Sequence, residues 1–353
     1  FPGAIGGGNW GGVTFNKKLN LVITNVMNAG QWGHLEKAGE GGRGPGSGGP
    51  PRSREPRNHA TRCRWWHSMP NEVTLNETRA MERRHAHHPY TTGDAAVDAQ
   101  IAELSRLFGD GLDRRLLAEL MTSVYRLGKD QASTGDLKIL NAALKELRHA
   151  FKVFRPYRHI RKVATFGSAR LTRRHPAYTM ARDFGRLMTE AGWMVITGAA
   201  SGIMKAGHEG AGRAASFGLN IRLPFEQEAN PVIAKDEKLI NCKYFFTRKL
   251  LFIKESHATA LFPGGFGTLD EGFESLTLVQ TGKSDPRPIV FIEPRRGPFW
   301  KPLLRFLNQQ LVHDGMISAS DRAIYQVAHS ADEAAQLILN FYATYHSLRY
   351  VDD

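Results

Sequence analysis

The chain has 353 residues, of which 41% are hydrophobic, and a formal net charge of +13. No apolar run approaches the roughly 18 residues that a membrane-spanning helix needs. The cysteines, Cys63 and Cys242, lie far apart, which argues against a disulfide framework and against a zinc site. The composition therefore predicts a soluble, cytoplasmic, globular protein of about two domains with no membrane partner.

Residues 1–90 differ in composition from the rest of the chain. Residues 41–51 are rich in glycine, proline and serine, and residues 52–64 are basic and have no apolar periodicity. We expect a low-complexity, disordered tail here, either a fusion or a misplaced start, with Met69 or Met81 as the natural beginning. Three nearby histidines lack acidic or cysteine companions at ligand spacing, so a solvated linker is favoured over a metal site; they are His85, His87 and His88.

Residues 1–33 show a resemblance of their own. It is carried by Gly6-Gly7-Gly8-Asn9-Trp10-Gly11-Gly12-Val13 and by the alternating Leu19, Leu21 and Ile23. This pattern resembles a blade fragment of the propellers of pyrroloquinoline-quinone-dependent dehydrogenases. A single blade cannot close a propeller, so no quinone function follows.

Residues 94–156 have the periodicity of helices, with apolar residues every three or four positions, and we predict an N-terminal helical arm of three helices. The end of the arm is basic: Lys145, Arg148, Lys152, Arg155, Arg158, Arg161 and Lys162. A nucleic-acid face is one interpretation of this charge. Without interleaved stacking aromatics or a binding motif, a solvated face or a rim that steers phosphates is favoured, and nucleic acid is a disfavoured partner.

Residues 160–348 alternate short apolar strands with helices, which predicts parallel pairing with right-handed crossovers. The expected fold is α/β, a doubly wound parallel sheet with binding loops at the carboxyl ends of its strands. Three loops follow strands and can open onto one crevice. They are a first loop (Gly167-Ser168-Ala169-Arg170), a second loop (Gly198-Ala199-Ala200-Ser201-Gly202) and a third loop (Pro263-Gly264-Gly265-Phe266-Gly267).

The third loop lies between a buried strand and a helix start, so its bare backbone can bring free N–H groups and the positive end of the helix dipole to a phosphate. Glu271 follows Thr268 by three residues, which is also the spacing of a capping box, so this glutamate has a purely structural alternative. Arg248 and Lys249 stand together at another helix start. Two cations there are unfavourable unless an anion lies beside them.

Other charged residues near these positions have plainer interpretations. We expect Asp270 to be a first-turn acid that complements the helix dipole, and Glu274 to face solvent or a subunit contact. His208 and Glu209 follow the second loop on a helix, and we expect an ordinary helix surface, with a subunit or base contact as the alternative.

The motif Pro263-Gly264-Gly265-x-Gly267-Thr268-x-x-Glu271, together with the Arg248-Lys249 pair before it, resembles the Lonely Guy (LOG) family, once labelled lysine decarboxylase-like. The resemblance covers about Val163 to Ala335. The long form of that family, which carries an N-terminal helical arm, also matches the first loop, Asn220-Ile221-Arg222-Leu223-Pro224 and Tyr244-Phe245-Phe246-Thr247-Arg248-Lys249.

The resemblance implies that the doubly wound sheet of residues 160–348 is a Rossmann-like nucleotide-binding domain. It implies a cytokinin riboside 5′-monophosphate phosphoribohydrolase, a hydrolase that needs no metal or other cofactor and forms a homodimer or higher homo-oligomer. It implies catalytic roles for Arg248 and Glu271. It assigns substrate binding to residues of the three loops and their neighbours: Gly167, Ser168, Arg170, Gly198, Ser201, Gly202, Lys249, Gly264, Gly265, Gly267 and Thr268. Many relatives carry glycines and a proline where this chain has Ala199, Ala200 and Ser201, and the added methyl groups narrow the room beside the backbone.

Two rival functions stay open at this point. One is a general purine-monophosphate nucleosidase, which would cleave AMP, GMP and N6-prenylated AMP at equal rates. The other is a module that binds or senses a nucleotide without cleaving it.

Overall fold

The computed structural model describes residues 90–222 and 228–344, together with two short antiparallel strands, β1 (Thr14–Asn16) and β2 (Leu21–Ile23). The predictions of a disordered tail, a propeller fragment and a histidine linker fall on residues outside the described ranges, apart from these two strands. Within the described ranges, residues 90–142 belong to one compact unit and residues 143–344 to another.

The helical arm contains the three predicted helices, α1 (Ala95–Ser105), α2 (Leu112–Lys129) and α3 (Thr134–Phe154). The carboxylate of Asp94 caps α1 by accepting hydrogen bonds from the backbone of Ala96 and Val97. Because α3 runs across the division between the two compact units, the separation of residues 94–156 and 160–348 into domains stays a prediction.

The second unit is built on a seven-stranded sheet, all of whose pairings are parallel, in the order β6-β5-β4-β3-β7-β8-β9. The strands are β3 (Lys162–Phe166), β4 (Met194–Thr197), β5 (Ser216–Ile221), β6 (Leu239–Cys242), β7 (Ala258–Leu261), β8 (Ile289–Ile292) and β9 (Tyr325–Ala328). The helices are α4 (Pro176–Glu190), α5 (Ile203–Ala211), α6 (Phe245–Glu255), α7 (Phe266–Gln280), α8 (Lys301–Phe306) and α9 (Ala331–Thr344). A π-helical segment, Leu307–Val312, continues α8.

The prediction of a doubly wound parallel α/β sheet is confirmed. Helices α4, α5 and α9 cover one face of the sheet, while the end of α3, α6 and Trp300 pack on the other. The chain moves outward from β3 to β6 on one side and then from β7 to β9 on the other. The strand order therefore reverses between β3 and β7, which is where such sheets bind their ligands.

The two edge strands, β6 and β9, were not predicted from the sequence. Both have only four residues and alternate or mix buried with partly exposed positions, so neither produces the continuous apolar run of the central strands.

None of the helices among the described residues combines the length and the apolar character required to cross a membrane.

Candidate functional site

A cavity of about 660 Å³ lies at the carboxyl ends of β3, β4, β5 and β7. Its volume is in the range of small-molecule sites. Most of the predicted site residues line it: Gly167, Ser168, Arg170, Gly198, Arg248, Gly265, Gly267, Thr268 and Glu271. The three loops therefore do open onto one crevice.

Four predicted site residues do not line the cavity: Ser201, Gly202, Lys249 and Gly264. The lining also contains residues that were not assigned to the site, mainly apolar ones: Phe166, Ala169, Ala200, Met204, Asn220, Ile221, Phe252, Phe266 and Leu269. Asn220 and Ile221 belong to a motif of the resemblance, so a signal for them existed. Ala169, Ala200 and Phe266 belong to the three predicted loops, although they were not assigned to the site. The remaining four lie on strands and helices, where the direction that a side chain faces depends on packing.

The backbone of Ser168 connects the three loops. Its N–H donates to the carbonyl of Pro263 at 3.0 Å, and its carbonyl accepts from the N–H of Ile203 at 3.0 Å, directly after the second loop. Gly202 has φ +65° and approaches Ser168 so closely that an added Cβ would overlap the Ser168 carbonyl. Gly202 therefore permits the contact between loops without lining the cavity.

Gly264 has a similar structural role. A Cβ at this position would overlap the Thr268 hydroxyl and lie 2.9 Å from the Ser168 nitrogen. At Gly265 and Gly267 an added Cβ would meet nothing within 4 Å. The glycines of the third loop therefore differ in function, since only Gly264 is required by close approach.

Glu271 is buried because the inward face of α7 is made of small and polar side chains, at the helical spacing of Thr268, Glu271, Gly272 and Ser275. The capping alternative is wrong. The helix begins at Phe266 with Gly265 as its N-cap, so Thr268 already lies inside the first turn and Glu271 bonds elsewhere. For the same reason Asp270 is not a first-turn acid.

Arg248 is the partner of Glu271. Nη2 of Arg248 donates to Oε1 of Glu271 at 3.0 Å, and the two side chains are 13% and 6% exposed. The guanidinium carbon lies 5.1 Å from the ring centre of Phe245 and 5.7 Å from that of Phe252. Nε of Arg248 is buried and has no hydrogen-bond partner among the described residues, which leaves a donor for a ligand beside the cavity.

The protein itself supplies the anions for the two cations near the start of α6. Glu271 pairs with Arg248, and Lys249 lies 2.7 Å from Asp270 and 3.4 Å from Glu274. Glu274 is therefore an ion-pair partner and does not simply face solvent. The prediction of an anion beside these two cations is confirmed, but the anion consists of three carboxylates of α7, which were not predicted.

Burial raises the pKa of Glu271 to about 7. Arg248 opposes this shift by favouring the carboxylate, while Glu274 and Asp270 reinforce it. A carboxyl group with this pKa can exchange a proton near neutral pH, which is the property of a general acid or base.

The helix after the second loop, α5, differs from its prediction. His208 is fully buried and does not lie on the helix surface, while Glu209 accepts hydrogen bonds from Tyr178 at 2.9 Å and from Arg173.

The second loop itself also differs from its prediction. Ala199 is fully buried, and its Cβ would lie 3.0 Å from a Cβ at Gly218 on β5. Only Ala200 of the two alanines lines the cavity, so the methyl group of Ala199 does not narrow it.

Across residues 90–222 and 228–344 no group of three or more histidine, cysteine, aspartate or glutamate side chains is arranged to hold a metal ion. Apart from the carboxyl group of Glu271 and the amide of Asn220, the polar groups that line the cavity are donors suited to an anion, namely loop N–H groups, hydroxyls and a guanidinium.

A comparison with protein-family models agrees with part of the resemblance. Residues 197–338 match the model described as “Possible lysine decarboxylase”. That description corresponds to the older label of the LOG family. The matched segment contains the second loop, Arg248, the third loop and Glu271, and it begins after the first loop. No curated protein sequence matches the chain.

Several solved structures are similar in fold. A molybdenum cofactor binding protein from Rippkaea orientalis is 20% identical, with coverage of 52% of this chain and 96% of that chain and a TM-score of 0.36. The molybdenum cofactor carrier protein from Chlamydomonas reinhardtii is 18% identical, with coverage of 52% and 99% and a TM-score of 0.36. DNA processing protein A from Streptococcus pneumoniae is 11% identical, with coverage of 73% and 95% and a TM-score of 0.35. These values carry no information about ligands or activity.

The packing at the third loop predicts different outcomes for two glycines. We expect Gly264→Ala to lower the free energy of unfolding by about 1–3 kcal/mol, because the methyl group must displace Thr268 or the Ser168 backbone. Gly267→Ala, inside the first turn of α7, should be neutral or raise it by about 0.5–1 kcal/mol. Urea unfolding of both variants measures this, and equal stabilities would contradict the proposed role of Gly264.

Proposed function

We propose that this protein hydrolyses the N-glycosidic bond of a nucleoside 5′-monophosphate, AMP or an N6-substituted AMP such as a cytokinin nucleotide, to free base and ribose 5-phosphate. The observation that carries the proposal is the buried Arg248–Glu271 pair at a cavity formed by three strand-end loops. The match of residues 197–338 to the family model supports it.

The phosphate end of the substrate is placed by the start of α7. This helix has 15 residues, and no side chain caps its N-terminus, so its first N–H groups and its dipole are available to an anion. Gly265, Gly267 and Thr268 line the cavity there. The space beside Gly265 and Gly267 is open, because a Cβ added at either position would have no neighbouring atom within 4 Å. The unpaired Nε of Arg248 adds a charged donor nearby.

Glu271 supplies the chemistry at the sugar. Cleavage of the N-glycosidic bond builds positive charge on the ribose, and a carboxylate close to the anomeric carbon stabilises that charge. The oxygen of one water molecule bonds to the anomeric carbon while the bond to the base breaks. Glu271 accepts a proton from this water and later releases it to solvent, and the departing base takes up a proton from solvent. Arg248 holds the carboxylate in one orientation through the bond between Nη2 and Oε1.

Glu271→Gln tests this assignment. The amide oxygen can still accept from Arg248, but the side chain can neither carry charge nor accept a proton, so ribose 5-phosphate release from AMP and N6-prenylated AMP should fall by about 100-fold or more. Glu274→Gln is the matched control, because Glu274 is on the same helix and does not line the cavity. Because Glu274 also raises the pKa of Glu271, the comparison is made at about pH 8, where that carboxyl is ionised in both proteins, and Glu274→Gln should retain activity within about 3-fold.

Other outcomes would select the rival functions. Undiminished release by Glu271→Gln would remove the catalytic role. Equal rates on AMP, GMP and N6-prenylated AMP would indicate a general purine-monophosphate nucleosidase. Binding of AMP in calorimetry without any product would indicate a nucleotide-binding module.

The raised pKa of Glu271 predicts the pH profile. If the carboxylate is the active form, kcat/KM for AMP should rise about tenfold per pH unit below 7 and level off above it. Lys249→Met should move this limb to higher pH, because Lys249 lowers the pKa of Glu271 and its loss leaves Asp270 and Glu274, which raise it. Lys254→Met on the same helix should leave the limb in place. A limb that is absent or that moves to lower pH would contradict the assignment.

We also propose that the protein forms a homodimer through α6 and α7. Both helices expose large apolar side chains: Phe246 at 53%, Leu250 at 47% and Phe273 at 37%. Phe246 and Leu250 are one helical turn apart, so they lie on one face. The ion pairs of Lys249 with Asp270 and Glu274 connect α6 to α7.

Light scattering after size-exclusion chromatography tests this association. Wild-type protein should have the mass of a dimer or larger, and Phe246→Glu should shift it toward the monomer. Phe306→Glu is the matched control, since Phe306 is 51% exposed on α8. A monomeric wild-type protein would contradict the proposal.

A further inference from the structure

The second loop is supported by a buried polar network that the proposed reaction does not use. Its centre is Asn230, which is 4% exposed. The backbone N–H of Asn230 donates to the carbonyl of Ala199 at 2.7 Å. Its side-chain Nδ2 lies 2.9 Å from the carbonyl of Ala199 and 3.1 Å from that of Ala200. Asn230 therefore holds two successive peptide groups of the loop.

The loop requires this support because Ala199 has a left-handed backbone, with φ +61°. Residues other than glycine rarely adopt this conformation, since Cβ approaches the following carbonyl. The N–H of Ala199 is bonded as well, to the hydroxyl of Thr197 at 3.0 Å. Hydrogen bonds on both sides of Ala199 thus hold it in a conformation that its own side chain disfavours.

His208 determines how the amide of Asn230 is oriented. Nδ1 of His208 lies 3.1 Å from Nδ2 of Asn230, and Nε2 lies 3.0 Å from both the carbonyl of Phe217 and the hydroxyl of Thr197. The amide nitrogen only donates and carries two hydrogens for these three acceptors. The carbonyls of Ala199 and Ala200 share one hydrogen and Nδ1 accepts the other, so the proton of the neutral ring is on Nε2. Burial lowers the pKa of His208 to about 4, which keeps the ring in this neutral form.

We propose that His208, acting through Asn230, is the positioning residue for the second loop and sets the affinity of the cavity for a nucleoside monophosphate. Gly198 and Ala200 are the parts of the loop that line the cavity. A Cβ at Gly198 would lie 3.8 Å from Nη1 of Arg248, so displacement of the loop changes the surroundings of that guanidinium. The consequence for affinity rests on the proposed function, whereas the consequence for the loop does not.

Hydrogen exchange of the full chain, read by mass spectrometry, tests the effect on the loop. His208→Leu fills the buried position with an apolar side chain and removes both ring nitrogens. The amides of residues 199–202 should then exchange about 10-fold faster. His208→Gln can still accept from Asn230 and donate to Phe217, so it should restore exchange to near the wild-type rate. The amides of α9 serve as the internal reference and should not change in either variant.

Kinetics and calorimetry with AMP test the effect on affinity. His208→Leu and Asn230→Ala should each raise KM and the dissociation constant about 10-fold while kcat changes much less. If His208 acts through Asn230, the double variant should be no worse than Asn230→Ala alone. Asn308→Ala is the matched control, because Asn308 also donates to a backbone carbonyl, that of Leu304 at 2.7 Å, away from the cavity.

The two readouts separate the inference from the proposed function. If the wild-type protein neither binds nor cleaves AMP, the proposed function fails, while the exchange of residues 199–202 still decides the role of His208. Unchanged loop exchange in His208→Leu, or equal acceleration in the loop and in α9, would overturn the inference. Should His208→Leu not fold, Asn230→Ala provides the same comparison, and unchanged loop exchange there would overturn it.

Discussion

The site depends on one buried interaction, the ion pair between Arg248 and Glu271. Charged groups lose hydration when they are buried, and this cost is recovered only with close geometry and further hydrogen bonds. Here Nη2 of Arg248 lies 3.0 Å from Oε1 of Glu271, and the carboxyl group of Glu271 still has a raised pKa. The pair therefore holds Glu271 in place without fully stabilising its charge, which leaves a carboxyl group able to exchange protons near neutral pH beside a cavity.

The surrounding backbone is arranged by contacts between loops that are far apart in the sequence. Ser168 bonds to Pro263 and to Ile203, so the first loop lies between the other two. Small residues make this approach possible, since side chains at Gly202 or Gly264 would overlap their neighbours. The buried polar network of His208 and Asn230 supports the second loop, because the amide of Asn230 donates to the carbonyl groups of Ala199 and Ala200. An apolar side chain in place of Asn230 would leave these carbonyl groups without that donor.

The fold and the main side chains of the candidate site were predicted from the sequence, but several local roles were predicted wrongly. The strand–loop–helix order around residues 258–280 and the Arg248-Lys249 pair were readable because they are local patterns. The capping interpretation of Glu271 was wrong because the helix starts two residues before Thr268. Lys249 lies outside the cavity and His208 lies inside the core, since helix faces are set by the elements that pack on them.

The sequence by itself determined the alternation of strands and helices, the three loops at strand ends and the presence of an arginine and a glutamate near them. These features follow from periodicity and residue type, which act over a few neighbouring positions. Only the tertiary structure decided which loop residues face the cavity, which carboxylates pair with which cations, and that Asn230 supports the second loop. Those outcomes depend on burial and on contacts such as Arg248 with Glu271, 23 positions apart, for which no local pattern exists.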